Sequence, residues 1–256
     1  MPDTQRLEAE RAFHDRQAAE RGESFHAGRA DLAFADEAFL DHETWVRPAM
    51  AQLGDLRGKA ALDYGCGHGM AAVVMARAGA GVTAFDLSPG YVAEARRRAA
   101  ANGVRVECVA ADGERLPFPD ATFDAVWGNA ILHHLDLARA GRELFRVMRP
   151  GGVAVFCEPW GGNPLLSLAR RRLPYPGKHR TPDEVPLTRR DLAPLHAIFP
   201  AVEVEGFQLL GMIRRVWRAP RLCRALDTID ARLLRRLPPL RNWCRYAVVT
   251  LRKPAA

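Results

Sequence analysis

Three glycines alternate with other residues just after an apolar segment that carries an aspartate. The stretch reads LDYGCGHGM over residues 62–70, with Asp63 followed by glycine at positions 65, 67 and 69. Glycine has no side chain, so a ligand can approach the backbone of such a turn, and a helix that follows it aims N–H groups at the ligand. The pattern predicts a loop that binds a small-molecule cofactor.

A second acidic residue, Asp86, follows Gly67 by 19 residues, in the segment GVTAFDLS. A carboxylate at the end of a strand can accept hydrogen bonds from both ribose hydroxyls of an adenosine. A turn or a helix cap is the competing role for this residue. A nicotinamide dinucleotide would use such an acid equally well, but its fingerprint G-x-G-x-x-G requires glycine where this chain has Met70.

Short apolar segments alternate with helical ones along the chain. The predicted strands are 60–65, 81–88, 104–112, 123–131, 152–159, 202–211 and 242–253. The predicted helices include 3–22, 31–53, 70–79, 89–103 and 136–152. Such alternation indicates β-α-β units in an α/β fold, a doubly wound and mostly parallel sheet with helices on both faces. These sheets bind ligands beyond the carboxyl ends of their strands, where the two aspartates lie.

Three stretches give the chain a family resemblance. LDYGCGHG (62–69), LPFPDATFDAV (116–126) and RVMRPGGVAVFCEP (146–159) resemble the class I S-adenosylmethionine-dependent methyltransferases of the small-molecule branch. The resemblance covers about residues 58–160. It implies that S-adenosylmethionine is the cofactor and that the fold is a seven-stranded Rossmann-like sheet whose last strand is antiparallel.

The resemblance also implies a set of cofactor contacts. These are Asp63, Gly65, Cys66, Gly67, Asp86, Leu87, Asp112, Gly113 and Asn129. By the family pattern, Asp63 lies by the methionine amino group, and Asn129 lies by the methionine part as well. Asp112 meets the adenine amino group, and Gly113 lies along the adenine ring.

Methyl transfer is an in-line displacement at a carbon bound to a sulfonium sulfur. The enzyme must hold a nucleophile in line with the methyl group, and it needs a base only if that nucleophile carries a proton. His133 and His134, after the fourth strand, are the candidate catalytic bases because histidine titrates near neutral pH. Glu158 is a weaker candidate at the mouth. The alternative is that the histidines only pack or line the pocket, and no metal site is predicted.

The predicted organisation has three parts. Residues 1–55 form an N-terminal helical lid, residues 56–160 the cofactor-binding core, and residues 161–256 the rest of the sheet with substrate-cap insertions at 160–187 and 212–241. The candidate lid side chains are Phe25, His26, Phe34 and Trp45. The amino-terminal stretch is charged and no apolar run approaches the roughly 20 residues of a membrane span, so we expect a cytoplasmic protein. Five scattered cysteines argue against a disulfide framework or a zinc site.

Basic residues concentrate in the last third of the chain. Residues 170–256 hold 19 Lys and Arg against 7 Asp and Glu, whereas residues 1–169 hold 18 against 23. Within 214–240, apolar residues recur at helical spacing among arginines. They are Leu222, Leu226, Ile229 and Leu233. The pattern is typical of an ordinary amphipathic helix and is also compatible with peripheral membrane contact.

The expected partner is a small-molecule methyl acceptor with an oxygen, nitrogen or carbon nucleophile, such as a quinone, a polyketide or a lipid. Nucleic acid is disfavoured, because residues 129–132 read NAIL where nucleobase amino methylases carry an N-P-P-Y-type motif. Two other functions stay open: an NAD(P)-dependent oxidoreductase, and a cofactor-binding relative without catalytic activity. No residue pattern indicates an oligomeric state.

Overall fold

A computed structural model describes residues 3–26, 32–172, 185–215, 217 and 219–256. Its strands are β1 (Ala60–Tyr64), β2 (Gly81–Asp86), β3 (Val106–Ala110), β4 (Phe123–Asn129), β5 (Met148–Pro159), β6 (Ala201–Phe207) and β7 (Tyr246–Arg252). They form one sheet in the order β3-β2-β1-β4-β5-β7-β6. β7 is antiparallel to both of its neighbours, and the other neighbouring pairs are parallel. The predicted sheet, with its antiparallel last strand, is confirmed.

Helices cover both faces of this sheet. In the described residues they are α1 (Asp3–His26), α2 (Asp36–Leu40), α3 (Val46–Ala51), α4 (Met70–Arg77), α5 (Pro89–Ala101), α6 (Leu137–Val147), α7 (Pro164–Arg172), α8 (Ala193–Ile198) and α9 (Pro220–Arg236). Short 3₁₀ turns span Leu132–His134, Gly211–Arg215 and Pro238–Trp243. α3, α4 and α5 pack on one face of the sheet, and α6 and α8 pack on the other. α1 packs on the outside of α5.

Successive strand residues alternate between these two faces. In β4, Trp127 packs on the side of α3, α4 and α5, whereas Val126 packs on the side of α6 and α8. In β5, Val155 packs on the side of α3, α4 and α5, and Phe156 packs on the side of α6 and α8. Both faces of the central strands are therefore buried, which explains why they read as continuous apolar segments in the sequence.

The single helix predicted over 31–53 is wrong. Two short helices, α2 and α3, occupy this region and are separated by a turn. Pro48 lies in the first turn of α3, where proline is tolerated. In a continuous helix its ring would clash with the carbonyl four residues earlier, so the helix must begin afresh near Val46.

Several segments outside the core leave the sheet at one edge. β5 ends at Pro159 and leads to α7, and β6 ends at Phe207 and leads to α9 and then to β7. Tyr246, the first residue of β7, pairs with both of these end residues, so the segments leave where β1 to β4 also end. Residues 173–184 of the predicted insertion lie outside the described residues. None of the helices in the described part of the chain combines the length and the apolar character that crossing a bilayer requires.

Leucine truncation tests this assignment of the core. Leu144 of α6 is 2% exposed, and Leu165 of α7 is 69% exposed. We expect Leu144→Ala to lower the free energy of unfolding by about 2–5 kcal/mol, because it leaves a cavity between α6 and the sheet. Leu165→Ala makes the same chemical change at the surface and should stay within about 0.5 kcal/mol of the wild type. Chemical denaturation followed by circular dichroism measures both, and equal losses would contradict the assigned core.

Candidate functional site

The glycine loop joins β1 to α4 and forms one wall of a cavity at the carboxyl edge of the sheet. Gly65 and Gly67 have positive φ angles of 68° and 49°, a conformation that favours glycine. A Cβ atom on Gly65 would come within 2.7 Å of Ile131 Cγ1, whereas one on Gly67 would meet nothing within 4 Å. Packing against Ile131 therefore requires glycine at position 65, and Gly67 leaves its backbone open to a ligand.

Asp86 ends β2 and holds the glycine loop in place. Its Oδ2 accepts a hydrogen bond from the Gly67 N–H, and its Oδ1 accepts one from the Ser88 N–H, both at 2.9 Å. Burial raises the pKa of Asp86, while the Ser88 and Gly67 N–H groups lower it. Asp86 thus makes the backbone hydrogen bonds of a turn, which is the competing role considered for it from the sequence. Each oxygen keeps a further lone pair with which it could accept a ribose hydroxyl.

Asp63 lies deeper, near the end of β1. Its Oδ2 accepts a hydrogen bond from the Ala72 N–H of α4 at 2.9 Å. Burial raises the pKa of Asp63 to about 7, and the nearby Asp86 carboxylate adds to this rise, whereas the Ala72 N–H opposes it. A cationic group in the cavity would stabilise the ionised form of Asp63, because an opposite charge offsets the loss of solvation.

A tight turn follows β3, where the adenine contacts are predicted. The Glu114 N–H donates to Asp112 Oδ1 at 2.9 Å, and the Tyr64 hydroxyl donates to the Gly113 carbonyl at 2.7 Å. The tyrosine comes from β1, so this turn is fixed to the strand that carries Asp63. The predicted adenine and methionine ends of the site therefore belong to one rigid frame.

All nine predicted cofactor contacts line a single cavity of about 250 Å³. They are Asp63, Gly65, Cys66, Gly67, Asp86, Leu87, Asp112, Gly113 and Asn129. Other parts of the wall are the apolar Leu7, Phe39, Trp127, Ile131 and Leu135 and the polar Glu10, His14, Gln17 and His134. The volume is near the lower end of the range for small-molecule sites, roughly 300 Å³ and above. The structure brings the nine residues together, and their contacts with a cofactor stay predictions.

The two candidate bases occupy different places. His134 lines the cavity, with its Nδ1 3.7 Å from Glu10 Oε1 on α1 and its ring centroid 5.7 Å from that of His14. His133 lies behind it, with the two ring centroids 4.1 Å apart, and is absent from the cavity wall. Its Nδ1 lies 2.7 Å from Oε2 of the buried Glu158. Of the two, His134 reaches the cavity wall and His133 does not, and the role of either as a base stays a prediction.

Glu158 positions the loop between β4 and α6. Its Oε1 accepts hydrogen bonds from the Ile131 N–H at 2.9 Å and from the Leu132 N–H at 2.8 Å, while Oε2 faces His133. These contacts bury Glu158 completely and remove it from the mouth, where it was expected. Within the described ranges, no group of three or more His, Cys, Asp or Glu could hold a metal ion.

Helix α1, which lies in the predicted N-terminal lid, supplies a face of the cavity whose residues the sequence analysis did not name. Its cavity residues are Leu7, Glu10, His14 and Gln17. Their spacing of three, four and three residues places them on one helix face, and this periodicity was the available signal. Asp15 fastens the helix to the core, because it accepts hydrogen bonds from the Ser88 hydroxyl and from the Gly90 N–H.

Two of the four lid side chains named from the sequence lie away from the cavity. Phe34 packs against arginine side chains, and Trp45 is buried in a stack with Tyr246. Neither lines the cavity. The side chains of Phe25 and His26 lie outside the described residues.

Comparison with known proteins identifies the domain that carries this cavity. Residues 62–156 match a family described as a methyltransferase domain. The chain is similar to malonyl-[acyl-carrier protein] O-methyltransferase of Pseudescherichia vulneris, with 40% identity over 130 residues, 50% of each chain. It is also similar to demethylmenaquinone methyltransferase of Clavibacter sepedonicus, with 38% identity over 130 residues, 50% of this chain and 52% of the relative. The chain thus spans about half the length of these curated relatives.

A solved structure resembles the chain over a longer range. The crystal structure of the [4+2]-cyclase SpnF superposes with a TM-score of 0.55 and 26% identity, over 82% of this chain and 81% of that one. A cyclase on this fold illustrates that fold alone does not decide the reaction. The matched family domain includes the glycine loop, all nine predicted cofactor contacts and both histidines. Residues 62–156 thus match a methyltransferase domain, which supports the resemblance of this part of the chain to the S-adenosylmethionine-dependent methyltransferases.

Proposed function

We propose that the chain transfers a methyl group from S-adenosylmethionine to an apolar small-molecule acceptor. The observation that carries the proposal is the cavity, where the nine predicted contacts meet within the matched methyltransferase domain. The rest of its wall is mostly apolar, and its titratable side chains are Glu10, His14, His68, His134, Tyr64 and Tyr91. Such a wall suits an apolar molecule with one protonated nucleophile. The name of one relative, demethylmenaquinone methyltransferase, is consistent with an acceptor of this kind.

The residues of the cavity fit this cofactor. The buried Asp63 carboxylate would hold the ammonium group of the methionine part, and Asp86 would accept the ribose hydroxyls. The open backbone at Gly67 leaves room beside them. Asp112 and Gly113 would hold the adenine. When bound, the cofactor supplies a methyl group that its sulfonium sulfur already activates.

The chain's own residues orient the acceptor and handle its proton. His134 lies in the cavity and would take a proton from the acceptor as the nucleophile bonds to the methyl carbon. His133 and Glu158 fix the loop that carries His134. Helix α1 covers the cavity, limits the access of water and places Glu10 beside the imidazole.

A nicotinamide-dependent oxidoreductase is the competing enzyme class. The described wall of the cavity carries four carboxylates, from Glu10, Asp63, Asp86 and Asp112, and neither lysine nor arginine. This charge suits a cofactor that bears a sulfonium and an ammonium group, and it disfavours the pyrophosphate of a dinucleotide. A relative that binds the cofactor without transferring its methyl group would differ only in turnover.

Asp86→Asn tests the proposed ribose contact. We expect it to weaken the binding of S-adenosylhomocysteine by about 1.5–3 kcal/mol, because hydrogen bonds to a charged acceptor are replaced by weaker ones. Isothermal titration calorimetry measures the affinity. Asp120→Asn makes the same change at an exposed carboxylate away from the cavity and should leave the affinity unchanged. Equal affinities for Asp86→Asn and wild type would remove Asp86 from the site.

The raised pKa of Asp63 predicts that binding of the same ligand depends on pH. Below about pH 7 the free protein holds Asp63 protonated, and the ligand's ammonium must displace that proton. The affinity should therefore fall as the pH falls, by up to about tenfold per unit between pH 7 and 5.5. Calorimetry in two buffers of different ionisation enthalpy would show the released proton. Asp63→Asn should bind weakly with a flatter profile, and an identical profile in that variant would contradict the contact.

Transfer of a labelled methyl group tests the whole function. The labelled cofactor is incubated with the protein and a small-molecule extract of the host, and the products are partitioned between organic and aqueous phases. We expect label in the organic phase. His134→Asn should lower the rate by about 100-fold or more, as for loss of a general base, and His133→Asn should lower it less.

Each outcome of this experiment has a distinct meaning. Label in the aqueous phase alone would overturn the apolar acceptor, and calorimetric binding of S-adenosylhomocysteine without any transfer would indicate a non-catalytic relative. Equal rates for His134→Asn and wild type, with unchanged pH dependence, would remove His134 as the base.

A further inference from the structure

Exposed apolar side chains concentrate in one part of the chain. Every large hydrophobic side chain that the described structure leaves exposed lies between residues 165 and 243. Trp217 is 61% exposed and Trp243 is 42% exposed, and they stand before and after α9. Leu237, directly after α9, and Leu165 on α7 are more than half exposed. Monomeric proteins seldom gather large exposed apolar side chains in this way without a binding role.

The exposed side of α9 carries only positive charge. Its basic residues are Arg221, Arg224, Arg232, Arg235 and Arg236, and all five are exposed. Both acidic residues of α9 are engaged elsewhere. Asp227 pairs with Arg214, and Asp230 is buried, where it accepts hydrogen bonds from the Leu210 and Gly211 N–H groups. No acid of the helix therefore offsets its arginines toward solvent.

The apolar and basic groups lie at the edge of the sheet that holds the cavity. The Asn163 amide donates to the Trp243 carbonyl at 3.0 Å, which joins the start of α7 to the turn after α9. That turn leads into Tyr246, which pairs with the last residue of β5. Since β1 to β4 end at this same edge, the surface and the cavity share one end of the molecule. We call this surface, which comprises the described residues of α7 and of the range 210–243, the docking face.

We propose that the docking face binds the surface of a bilayer that contains anionic lipids. The arginines of α9 would contact lipid phosphates, and Trp217 and Trp243 would lie at the level of the headgroups, where tryptophan is enriched. Flanking apolar side chains favour a bilayer over nucleic acid, because a phosphate backbone offers them nothing to bury against. The further consequence, that the cavity takes its acceptor from the lipid phase, rests on the proposed methyl transfer.

Vesicle flotation with the full chain tests the docking. We expect the wild type to float with phosphatidylcholine vesicles that contain phosphatidylglycerol and to bind weakly to phosphatidylcholine alone. Each arginine near an anionic surface contributes about fivefold in affinity, so Arg224→Glu with Arg232→Glu should lower binding by at least about 25-fold. Trp217→Ser with Trp243→Ser should lower it at both low and high salt, because apolar burial is not screened.

Arg97→Glu with Arg105→Glu is the matched control. Both arginines are exposed. Arg105 directly precedes β3, so it lies at the amino ends of the parallel strands, opposite the edge that holds the docking face. The control changes the net charge equally and should keep most of the vesicle binding. Equal losses in the two charge-reversed proteins would overturn the docking face, as would failure of the wild type to float.

The same experiment can show instead that the docking face binds nucleic acid. If random-sequence RNA displaces the protein from vesicles, and the tryptophan variants bind as the wild type does, the membrane proposal is overturned. Calorimetry with S-adenosylhomocysteine in every variant checks that the cofactor cavity is intact. Absence of that binding in the wild type would count against the methyl transfer and would leave the flotation result unaffected.

Discussion

The Asp86 carboxylate accepts hydrogen bonds from two separate segments, and the shape of the cavity depends on this sharing. A buried carboxylate requires donors, and here the donors are backbone N–H groups of the glycine loop and of the turn that starts α5. The end of β2, the loop and the helix are thereby held in one geometry. Ser88 extends the network, because its hydroxyl donates to Asp15 of α1. The helix above the cavity and the carboxylate below it thus belong to one set of hydrogen bonds.

Glu158 has the corresponding role on the other side of the cavity. It too lies near the end of a strand, is buried, and accepts two backbone N–H groups from a neighbouring loop. Its second oxygen holds His133, which packs behind the ring of His134. Two buried carboxylates therefore shape the two loops between which a ligand would lie. Backbone N–H groups satisfy both carboxylates, so no basic side chain has to enter the cavity to pair with them.

The parallel part of the sheet could be predicted because its signals are local, whereas the antiparallel last strand and the nine cofactor contacts were implied by the family resemblance. Strand ends are marked by glycine and aspartate, and the rule that ligands bind at carboxyl edges turns this local pattern into a shared location. The break in the segment 31–53 was also readable, since Pro48 forbids a continuous helix. The parallel core thus followed from short stretches of sequence and one topological rule.

The missed features depend on contacts between distant parts of the chain. Whether His133 or His134 faces the cavity is decided by Glu158, about 25 residues away, and nothing in the pair itself distinguishes them. The N-terminal lid was predicted, but the residues of α1 that line the cavity were not, for a related reason. Its residues recur on one helix face, but only the packing of α1 on α5 shows which surface that face covers.

The distribution of charge connects the site with the rest of the molecule. The cavity wall is acidic in its described part, so a cationic ligand is attracted and an acceptor that carries phosphate or carboxylate near the reacting atom is repelled. None of the described basic residues in 170–256 lines the cavity. Five of the 19 basic residues in this range lie exposed on α9, at the same edge of the sheet. The acidic cavity wall suits a cationic cofactor, and the exposed arginines of α9 suit the anionic bilayer surface that we propose as their partner.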